Sequence, residues 1–384
     1  MAADLRDKAL IVTRNFPPLT GGMERLTLHT YNALRERYDC ALIGPAGCRE
    51  FVTHETPVSE CQLKPLPRFL LEAWINGRKM ARAYRPNIVF AASGLTSPIA
   101  LSIARKHNAA AVTVVHGLDL VVPHPVYQKF FLPAIRQSDL VIANSANTAR
   151  LARDAGVCAD KIEVLHPGVS LPASITGPVM PTDGLNRRHV LLSVGRLVPR
   201  KGLAEFVDRA LPSLVKHDPS IMLIIAGGEA LDALKRDSRV LANVKSAIEK
   251  NYLHKHVCLL GRISDDSALD NLYRSSDVFV MPLIRKRDDV EGFGMVAVEA
   301  AARGLPTAGF NVDGLSDAVK NGRSGLLVQP DNYEALIYAI LNLLSPTNST
   351  GITATTCRAH AESFAWQRYN NRLLEILKTA KVSE

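Results

Sequence analysis

The stretch Asp288-Asp289-Val290-Glu291-Gly292-Phe293-Gly294-Met295-Val296-Ala297-Val298-Glu299-Ala300 is an acidic, glycine-containing loop that runs directly into a predicted helix. Glu291 precedes that helix and Glu299 lies within it. Gly292 and Gly294 lack a Cβ atom, so the backbone there can approach a ligand closely. The free N–H groups and positive dipole end of the first helical turn favour an anion. A ligand with hydroxyls, a phosphate and a second polyol, such as a sugar nucleotide, would use both carboxylates and the amides.

The composition predicts a globular protein of two domains. The chain has 384 residues, more than one ordinary core covers, with 47% hydrophobic and 22% charged residues. It contains no apolar run of roughly 18 residues, so we expect no membrane span, and its first residues lack the apolar core of a signal peptide. The six cysteines form no CxxC pair, which favours reduced thiols in a cytoplasmic protein over disulfides or zinc.

The net charge of +9 is unevenly distributed. Between residues 61 and 110 a single acid, Glu72, accompanies a group of basic residues: Lys64, Arg68, Arg78, Lys79, Arg82, Arg85, Arg105 and Lys106. Two interpretations stay open, a solvated face or a surface that meets anionic lipid or a phosphate-bearing acceptor. Nucleic acid is not an expected partner, because the chain carries no helix-turn-helix, RNA-binding sheet or zinc-finger signature.

Predicted strands and helices alternate on both sides of the Pro-, Gly-, Ser- and Thr-rich segment Pro172 to Asn186, which we interpret as a linker. Alternation of this kind predicts right-handed βαβ units and parallel sheets. The predicted strands are Lys8–Thr13, Cys40–Ile43, Asn87–Ala91, Ala111–Val115, Leu140–Ala143, Ile162–Leu165, His189–Val194, Ile221–Ala226, Val257–Leu260, Val278–Met281, Thr307–Phe310 and Leu326–Val328. The predicted helices include Met23–Arg37, Arg68–Tyr84, Leu203–Lys216, Leu231–Lys250, Tyr333–Leu344 and an amphipathic tail, Phe364–Lys381.

The sequence therefore predicts an α/β protein of two Rossmann-like domains that face each other across a cleft. The first domain covers residues 1–171 and the second covers residues 187–363. Ligands of such sheets bind at the carboxyl ends of the strands, so the candidate residues should follow strands directly.

One such candidate is the segment Gly195-Arg196-Leu197-Val198-Pro199-Arg200-Lys201-Gly202, which follows the first strand of the second domain. Arg196 and Lys201 near a helix N-terminus suit a diphosphate, although two solvated cations are an equal alternative. The spacing does not match the GxxxxGK[ST] loop of P-loop proteins, which disfavours ATPase-like chemistry.

The first domain offers weaker candidates. Gly21 and Gly22 end the loop after the first strand and either present an amide to the same diphosphate or form a plain turn. GxGxxG is absent, so a dehydrogenase is weakly supported. His116, with Gly117 and Asp119, follows a strand. It either contacts a sugar hydroxyl or an acceptor, or makes a local structural contact. Elsewhere, no His/Asp/Glu set has metal-ligand spacing, so we expect no required metal and no cofactor.

The motifs together resemble the GT-B-fold retaining glycosyltransferases of family 4. The resemblance rests on Glu291-x7-Glu299 within Glu-Gly-Phe-Gly, on Gly-Arg-Leu-x-x-x-Lys-Gly before it, and on the N-terminal Gly-Gly loop. It covers nearly the whole chain. The segment from Phe16 to Leu26 further resembles members that build bacterial surface polysaccharides, including lipopolysaccharide mannosyl- and rhamnosyltransferases.

The resemblance implies roles for the candidate residues. Arg196 and Lys201 would neutralise the donor diphosphate, and His116 would lie near the transferred sugar. Glu291 would face that sugar and Glu299 would hold the ribose hydroxyls. The remaining donor contacts implied by the family are the Phe293 and Gly294 amides on the sugar, the Met295, Val296 and Gly22 amides near the phosphates, and Arg262-Ile263 against the nucleobase. The first domain would bind the acceptor, with Asp119 contacting it or orienting His116, and residues 364–384 would cross back to that domain.

The function implied is a retaining transfer of a hexose, of the mannose, rhamnose or glucose type, from a nucleoside-diphosphate sugar to a saccharide or lipid-linked acceptor. Such a protein would act in the cytoplasm and associate peripherally with the anionic cytoplasmic face of the inner membrane. Two alternatives stay open, a sugar-nucleotide epimerase of the same architecture and a non-catalytic sugar-binding protein. The intact set of Arg196, Lys201, Glu291 and Glu299 argues against the second alternative.

Overall fold

A parallel sheet forms the centre of each half of the chain. The computed structural model describes residues 6–173, 188–228 and 239–380. The chain divides into two units, one formed by residues up to Gly168 together with those from Trp366 onward, the other by Val169–Ala365.

The first unit winds seven strands in the order β3-β2-β1-β4-β5-β6-β7. Every neighbouring pair is parallel. The strands are β1 Lys8–Val12, β2 Asp39–Pro45, β3 Val58–Cys61, β4 Ile88–Ala91, β5 Ala110–Val115, β6 Leu140–Ala143 and β7 Ile162–Val164. The helices are α1 Gly22–Arg35, α2 Leu66–Tyr84, α3 Ser97–His107, α4 Leu118–Val121, α5 Leu132–Gln137 and α6 Ala146–Asp154, with a π-helical turn at Tyr127–Phe131.

The second unit repeats this winding in the order β10-β9-β8-β11-β12-β13, again with parallel neighbours. The strands are β8 Val190–Val194, β9 Met222–Ala226, β10 Val257–Gly261, β11 Val278–Met281, β12 Thr307–Phe310 and β13 Gly325–Val328. The helices are α7 Leu203–Arg209, α8 Leu211–His217, α9 Arg239–Lys250, α10 Asp266–Arg274, α11 Met295–Ala302, α12 Leu315–Ala318, α13 Tyr333–Leu344 and α14 Ala354–Ala361.

The central strands are buried along their whole length, which explains their continuous apolar sequence. Ile88–Ala91 and Ala110–Val115 are buried at every position, and so is Val278–Met281 in the second unit. Both orders place a switch in winding direction beside the first strand of the unit, between β1 and β4 and between β8 and β11. Loops that follow those strands are the places where doubly wound sheets bind ligands.

The last helix returns to the first unit, as the resemblance implied. This helix, α15 (Trp366–Leu377), packs against α1, and the hydroxyls of Tyr369 and Thr30 lie 2.6 Å apart in a buried contact. The Trp366 indole stacks on the His29 ring with centroids 3.6 Å apart. Trp366 also covers Gly168, where an added Cβ would lie 2.1 Å from the indole.

Some predicted elements differ from the observed ones. The helix predicted at Leu203–Lys216 is two helices, α7 and α8, divided at Ala210 just before Pro212. Strand β3 was not predicted, because Val58–Cys61 carries two polar residues and has one buried position. Of the helix predicted at Leu231–Lys250, residues 231–238 lie outside the described residues, as does most of the predicted linker. None of the described helices has the length and apolar character needed to cross a bilayer.

Candidate active site

The loops after β8 and β11 carry the main group of candidate residues. These two strands are neighbours and flank the switch in the second sheet, so their carboxyl ends open at the same edge. The first loop contains Arg196, Arg200 and Lys201, and the second contains Glu291. Residues about 90 positions apart in sequence are thereby brought to one place.

Gly202 fixes the end of the first loop against the second. Its φ is +64°, in the left-handed region, and an added Cβ would lie 2.0 Å from the carbonyl oxygen of Pro282. Only glycine fits there without moving the backbone. The Ile284 amide also donates to the Arg200 carbonyl oxygen at 2.9 Å. The backbone that carries Arg200 and Lys201 is therefore held against the strand end that leads to Glu291.

Three side chains meet at one carboxylate oxygen. The Lys201 Nζ lies 2.9 Å from Glu291 Oε2, and the Arg200 guanidinium lies 3.2 Å from the same oxygen. Arg200 also reaches Asp289, with 3.4 Å between Nη1 and Oδ2. The side chains of Lys201, Arg200 and Glu291 are only 11–13% exposed, so this ion cluster is largely shielded from water.

The cluster keeps Glu291 ionised. Burial alone would raise the pKa of the Glu291 carboxyl, but the positive charges of Lys201 and Arg200 outweigh burial and bring the pKa down to about 2. Burial lowers the pKa of the Lys201 ammonium, and the attraction of Glu291 opposes this shift. The carboxylate is therefore charged throughout the physiological range and depends on its two cations for that state.

Arg196 differs from its neighbours because it is exposed. Within the described part of the chain it forms no ion pair, yet its charge acts on both Lys201 and Glu291. The exposed Arg196 guanidinium offers an incoming anion its first contact, because the charge of the neighbouring Lys201 is balanced by Glu291. Arg196 thus suits the phosphate-binding role predicted for it, whereas Lys201 is engaged with Glu291 in this ligand-free state.

The backbone around Glu291 is held at both of its polar groups. The Glu291 amide donates to Asp313 Oδ2 at 3.1 Å, and the Glu291 carbonyl oxygen accepts from the Gly314 amide at 3.0 Å. Gly294, with φ +92°, turns the chain into α11, so Met295 and Val296 form the first helical turn as predicted. Phe293 is buried and packs on Phe364, which leaves only its backbone for a ligand.

Glu299 lies inside α11 and is buried, with 8% of the residue exposed. The Tyr273 hydroxyl, from α10, donates to Glu299 Oε2 at 3.2 Å. The Arg303 guanidinium lies over the Tyr273 ring, 5.2 Å from its centroid. Tyr273 therefore orients one carboxylate oxygen of Glu299.

Arg262 and Ile263 directly follow β10, as predicted for the segment expected to meet a nucleobase. Arg262 is exposed, and Ile263 is partly buried against the hydrophobic core of the second unit. Gly228, which follows β9, lies beside Arg262, because an added Cβ there would be 3.6 Å from the Cβ of Arg262.

In the first unit, His116 follows β5 and its Nε2 lies 2.9 Å from the Ala92 carbonyl oxygen. Because a carbonyl only accepts, Nε2 carries the hydrogen and the neutral ring keeps Nδ1 as an acceptor. His116 can therefore accept a hydrogen bond from a sugar hydroxyl at Nδ1.

Asp119 has a local partner that the sequence did not reveal. Its Oδ2 accepts from the His116 amide at 2.9 Å, which closes the turn that carries His116. Burial raises the pKa of the Asp119 carboxyl, and the hydrogen bond from the His116 amide opposes this shift. Of the two roles expected for Asp119, this contact supports orienting His116, and acceptor binding stays a prediction.

Gly22 begins α1, where Glu24 of the first turn accepts a hydrogen bond from Asn15 Nδ2 at 2.7 Å. The contact ties the helix start to the loop that leaves β1. The donor-phosphate role expected of the Gly22 amide stays a prediction.

Sequence reasoning missed Arg200, Tyr273 and Asp313. Arg200 was visible as a second cation beside Lys201, but only the pairing of β8 with β11 shows that it contacts Glu291. Tyr273 and Asp313 lie in segments without a motif. No group of three or more His, Cys, Asp or Glu side chains in the described ranges has a geometry that could hold a metal ion.

Comparisons with known proteins agree with the fold. The family model described as Glycosyltransferase Family 4 matches residues 20–172, and the one described as Glycosyl transferases group 1 matches residues 183–354. The solved structure of Anabaena HepE in complex with UDP and glucose superposes with a TM-score of 0.77 at 21% identity, covering 97% of this chain and all of that one. At this identity the likeness shows the fold, which is GT-B.

Curated relatives point the same way. The D-inositol 3-phosphate glycosyltransferase of Rhodococcus jostii is 30% identical over 285 residues, which are 72% of this chain and 61% of that protein. The GDP-mannose-dependent alpha-(1-6)-phosphatidylinositol monomannoside mannosyltransferase of Mycolicibacterium smegmatis is 27% identical, covering 96% of this chain and 97% of the relative. The chain belongs to the family 4 glycosyltransferases.

Proposed function

We propose that this glycosyltransferase moves a hexose from a nucleoside-diphosphate sugar to a saccharide or lipid-linked acceptor, with retention at the anomeric carbon. The observation that carries the proposal is the buried cluster of Lys201, Arg200 and Glu291 beside the exposed Arg196. Cations fixed at the carboxyl end of the switch strand β8, and held there by Glu291 from the loop after β11, suit a diphosphate that gains negative charge as it leaves.

The chemistry follows from that charge separation. The bond between the anomeric carbon and the diphosphate oxygen breaks, and the sugar develops positive character as the diphosphate develops negative charge. Arg196 and Lys201 stabilise the departing diphosphate, and one contact of this type contributes on the order of 3 kcal/mol to lowering the barrier. Because these side chains supply the positive charge, we propose that transfer needs no metal ion.

For retention we propose attack from the same face of the sugar as the leaving group. The acceptor hydroxyl forms the new C–O bond and gives its proton to the departing diphosphate oxygen. A covalent route would need a carboxylate beneath the anomeric carbon, as in retaining glycosidases. Glu291 is held by two cations and a low pKa, which suits a fixed hydrogen-bond acceptor for sugar hydroxyls better than a base that takes protons.

The other donor contacts follow the family resemblance. We propose that Glu299 holds the ribose, Arg262 and Ile263 meet the nucleobase, and the amides of Gly22 and residues 293–296 bind the phosphates and the sugar. The Nδ1 atom of His116 accepts from the transferred sugar, and Asp119 closes the turn that carries His116.

The relatives' names support a hexose donor and a lipid-linked acceptor. The mycobacterial relative is named for GDP-mannose and a phosphatidylinositol mannoside, and the HepE structure contains UDP and glucose. We propose a donor sugar of the mannose, rhamnose or glucose type and a role in bacterial surface-polysaccharide synthesis. The enzyme would then work in the cytoplasm, peripherally attached to the inner membrane, and the basic segment 61–110 supports this placement.

A ligand panel tests the proposal. Purified protein is heated with UDP, GDP, ADP and their hexose conjugates, and the true donor raises the melting temperature because ligand binding stabilises the native state by RT ln(1 + [L]/Kd). The best donor is then incubated with and without candidate acceptors, in the presence of EDTA. Conversion of the donor sugar without an acceptor would indicate an epimerase, and a panel that shows no shift would contradict the proposal.

A further inference from the structure

Helix α2 (Leu66–Tyr84) carries apolar side chains on two opposite faces. Its inner face packs into the core through residues at i, i+4, i+8 and i+12: Phe69, Ala73, Gly77 and Ala81, all buried. Its outer face exposes Leu71 by 56% and Ile75 by 50%, with Trp74 on the flank at 37%. A helix that covers a core normally presents polar residues to water on its outer side, so this exposed apolar pair needs a partner.

Cations surround the exposed pair. At 100° per residue, Arg68, Arg78, Lys79 and Arg82 project from the same outer face as Leu71 and Ile75. Arg68 is paired with Glu72, at 2.7 Å. Within the described part of the chain, Arg78, Lys79 and Arg82 form no ion pair. The Arg78 guanidinium instead lies over the Trp74 ring, 4.7 Å from its centroid.

The positive charge continues past the end of the helix. A depression of about 670 Å³ at the C-terminal ends of α2 and α3 is lined by Arg85, Arg105, Lys106 and His107, together with Pro86, Asn87 and Asn108. Arg105 is paired with Asp139, so the uncompensated charge there comes from Arg85 and Lys106. Burial and the surrounding cations, Lys106, Arg82, Arg78 and Arg85, lower the pKa of His107. The cationic surface thus runs along α2 and around its end.

We propose that the outer face of α2 lies flat on an anionic membrane, with Leu71, Ile75 and Trp74 at the boundary between headgroups and acyl chains. Long basic side chains can bury their stems against apolar surface while their charged ends bind phosphates, and tryptophan prefers this interface. The proposal deepens the proposed function, because it names the surface that would bring the enzyme to a lipid-linked acceptor. It does not depend on the identity of the donor.

The first experiment is sedimentation of the full-length protein with vesicles. Vesicles of phosphatidylcholine that contain about 30% phosphatidylglycerol should pellet the protein, because their surface is anionic. Vesicles of phosphatidylcholine alone should not. Raising the salt concentration should release it, because screening shortens the reach of the surface charge. Equal binding to both vesicle types, or binding that ignores salt, would overturn the proposal.

Matched variants locate the surface. Arg78→Gln with Arg82→Gln should weaken vesicle binding about 25-fold, roughly fivefold for each cation. Lys216→Gln with Lys245→Gln removes the same charge from exposed positions of the second unit and should change binding little. Leu71→Gln with Ile75→Gln should weaken binding about tenfold, whereas Tyr252→Gln, at an 88% exposed position, is its apolar control. Equal losses in test and control pairs would contradict a role of α2.

Fluorescence reports the depth of contact. The chain has two tryptophans, Trp74 and the partly buried Trp366. Anionic vesicles should shift the emission to shorter wavelength in the wild type and not in Trp74→Phe. Transfer to a soluble acceptor should be unchanged in every α2 variant. If the enzyme is active but never binds vesicles, the membrane-binding role of α2 is wrong and the proposed function stands. If it binds vesicles but transfers no sugar, the proposed function is wrong and the role of α2 stands.

Discussion

The two units share one winding order and differ in what they place after their switch strands. In the second unit, the loops after β8 and β11 bring two cationic side chains, Arg200 and Lys201, to the single oxygen atom Glu291 Oε2. In the first unit, the loop after β1 holds the hydrogen bond from Asn15 to the Glu24 carboxylate. The Ala92 carbonyl, which follows β4, contacts His116 from the end of the neighbouring strand β5. The fold supplies the position, and the residue types decide the chemistry. This contrast supports donor activation in the second unit and hydroxyl recognition in the first.

The largest expected effect tests the charged side of this contrast. Lys201→Ala should lower kcat by about 10²- to 10³-fold, because a fixed cation on the departing diphosphate is lost. Initial rates with saturating donor measure it. The matched control is Lys250→Ala, which removes another lysine of an ion pair, with Asp208, but one that is 67% exposed. If both variants kept wild-type rates while staying folded, the diphosphate role of Lys201 would be wrong.

Arg200 tests whether Glu291 needs a second cation. When the donor diphosphate attracts Lys201, Arg200 is the cation that continues to neutralise Glu291, so Arg200→Gln should lower kcat/KM by roughly 10- to 100-fold. It should also raise the pKa of Glu291 from about 2 toward its ordinary value. The acid limb of the pH–rate profile should therefore move to higher pH.

The Arg200 experiment has a control within the same cluster. Asp289→Asn breaks the other ion pair of Arg200 and leaves both cations on Glu291. It should leave the acid limb in place. A loss of activity in Arg200→Gln with an unmoved acid limb would reduce Arg200 to a structural support.

Most of the fold could be predicted because its strands are short, continuous apolar runs. Leu140–Ala143, Val278–Met281 and Thr307–Phe310 were predicted to the residue. Edge strand β3 was missed because one face is not buried, and Val58–Cys61 therefore lacks the apolar run. The sequence pattern of a strand therefore predicts it only where burial makes that pattern apolar.

Some members of the candidate site could be proposed from the sequence, but their contacts could not. Glu291 and Lys201 were recognised because each follows a strand beside glycines. Their ion pair depends on which strands are neighbours in the sheet, and sequence spacing does not show that β8 lies beside β11. For the same reason, Arg200 was not proposed, since its partners lie about 90 residues away.

A test of the first unit concerns stability and pH. Burial, aided by the charge of Arg25, lowers the pKa of His29 to about 4, and its ring stacks on Trp366. A histidine whose pKa falls on folding stabilises the protein above its unfolded value of about 6.5, and this contribution is lost as the pH falls toward 4. Because His29 is only partly buried, solvent screening reduces the effect below that of a fully buried group, and the loss should be on the order of 1–2 kcal/mol.

Urea unfolding of wild type and His29→Gln at pH 7.5 and 4.5 measures this contribution. The difference between the two proteins should shrink at the lower pH, because other titrating groups act equally in both. Activity at pH 7.5 should be unchanged, since His29 supports the return of α15 and contacts no candidate residue. A difference in stability that does not vary with pH would show that His29 acts through packing alone.

The smallest effect tests whether the two glutamates of the second unit have separate tasks. Tyr273→Phe removes the hydroxyl that donates to Glu299 Oε2, while the ring that packs beside Phe279 remains. If Glu299 holds only the ribose, the donor KM should rise about fivefold, near the 1 kcal/mol typical of one hydrogen bond, with kcat unchanged. Tyr338→Phe, on the exposed face of α13, is the control. A fall in kcat at constant KM would mean that Glu299 acts in the transition state as well, and the assignment of sugar to Glu291 and ribose to Glu299 would fail. A change in KM alone would separate the two glutamates of the second unit. Glu291 and its cations would then assist bond breaking, whereas Glu299 would only bind the donor.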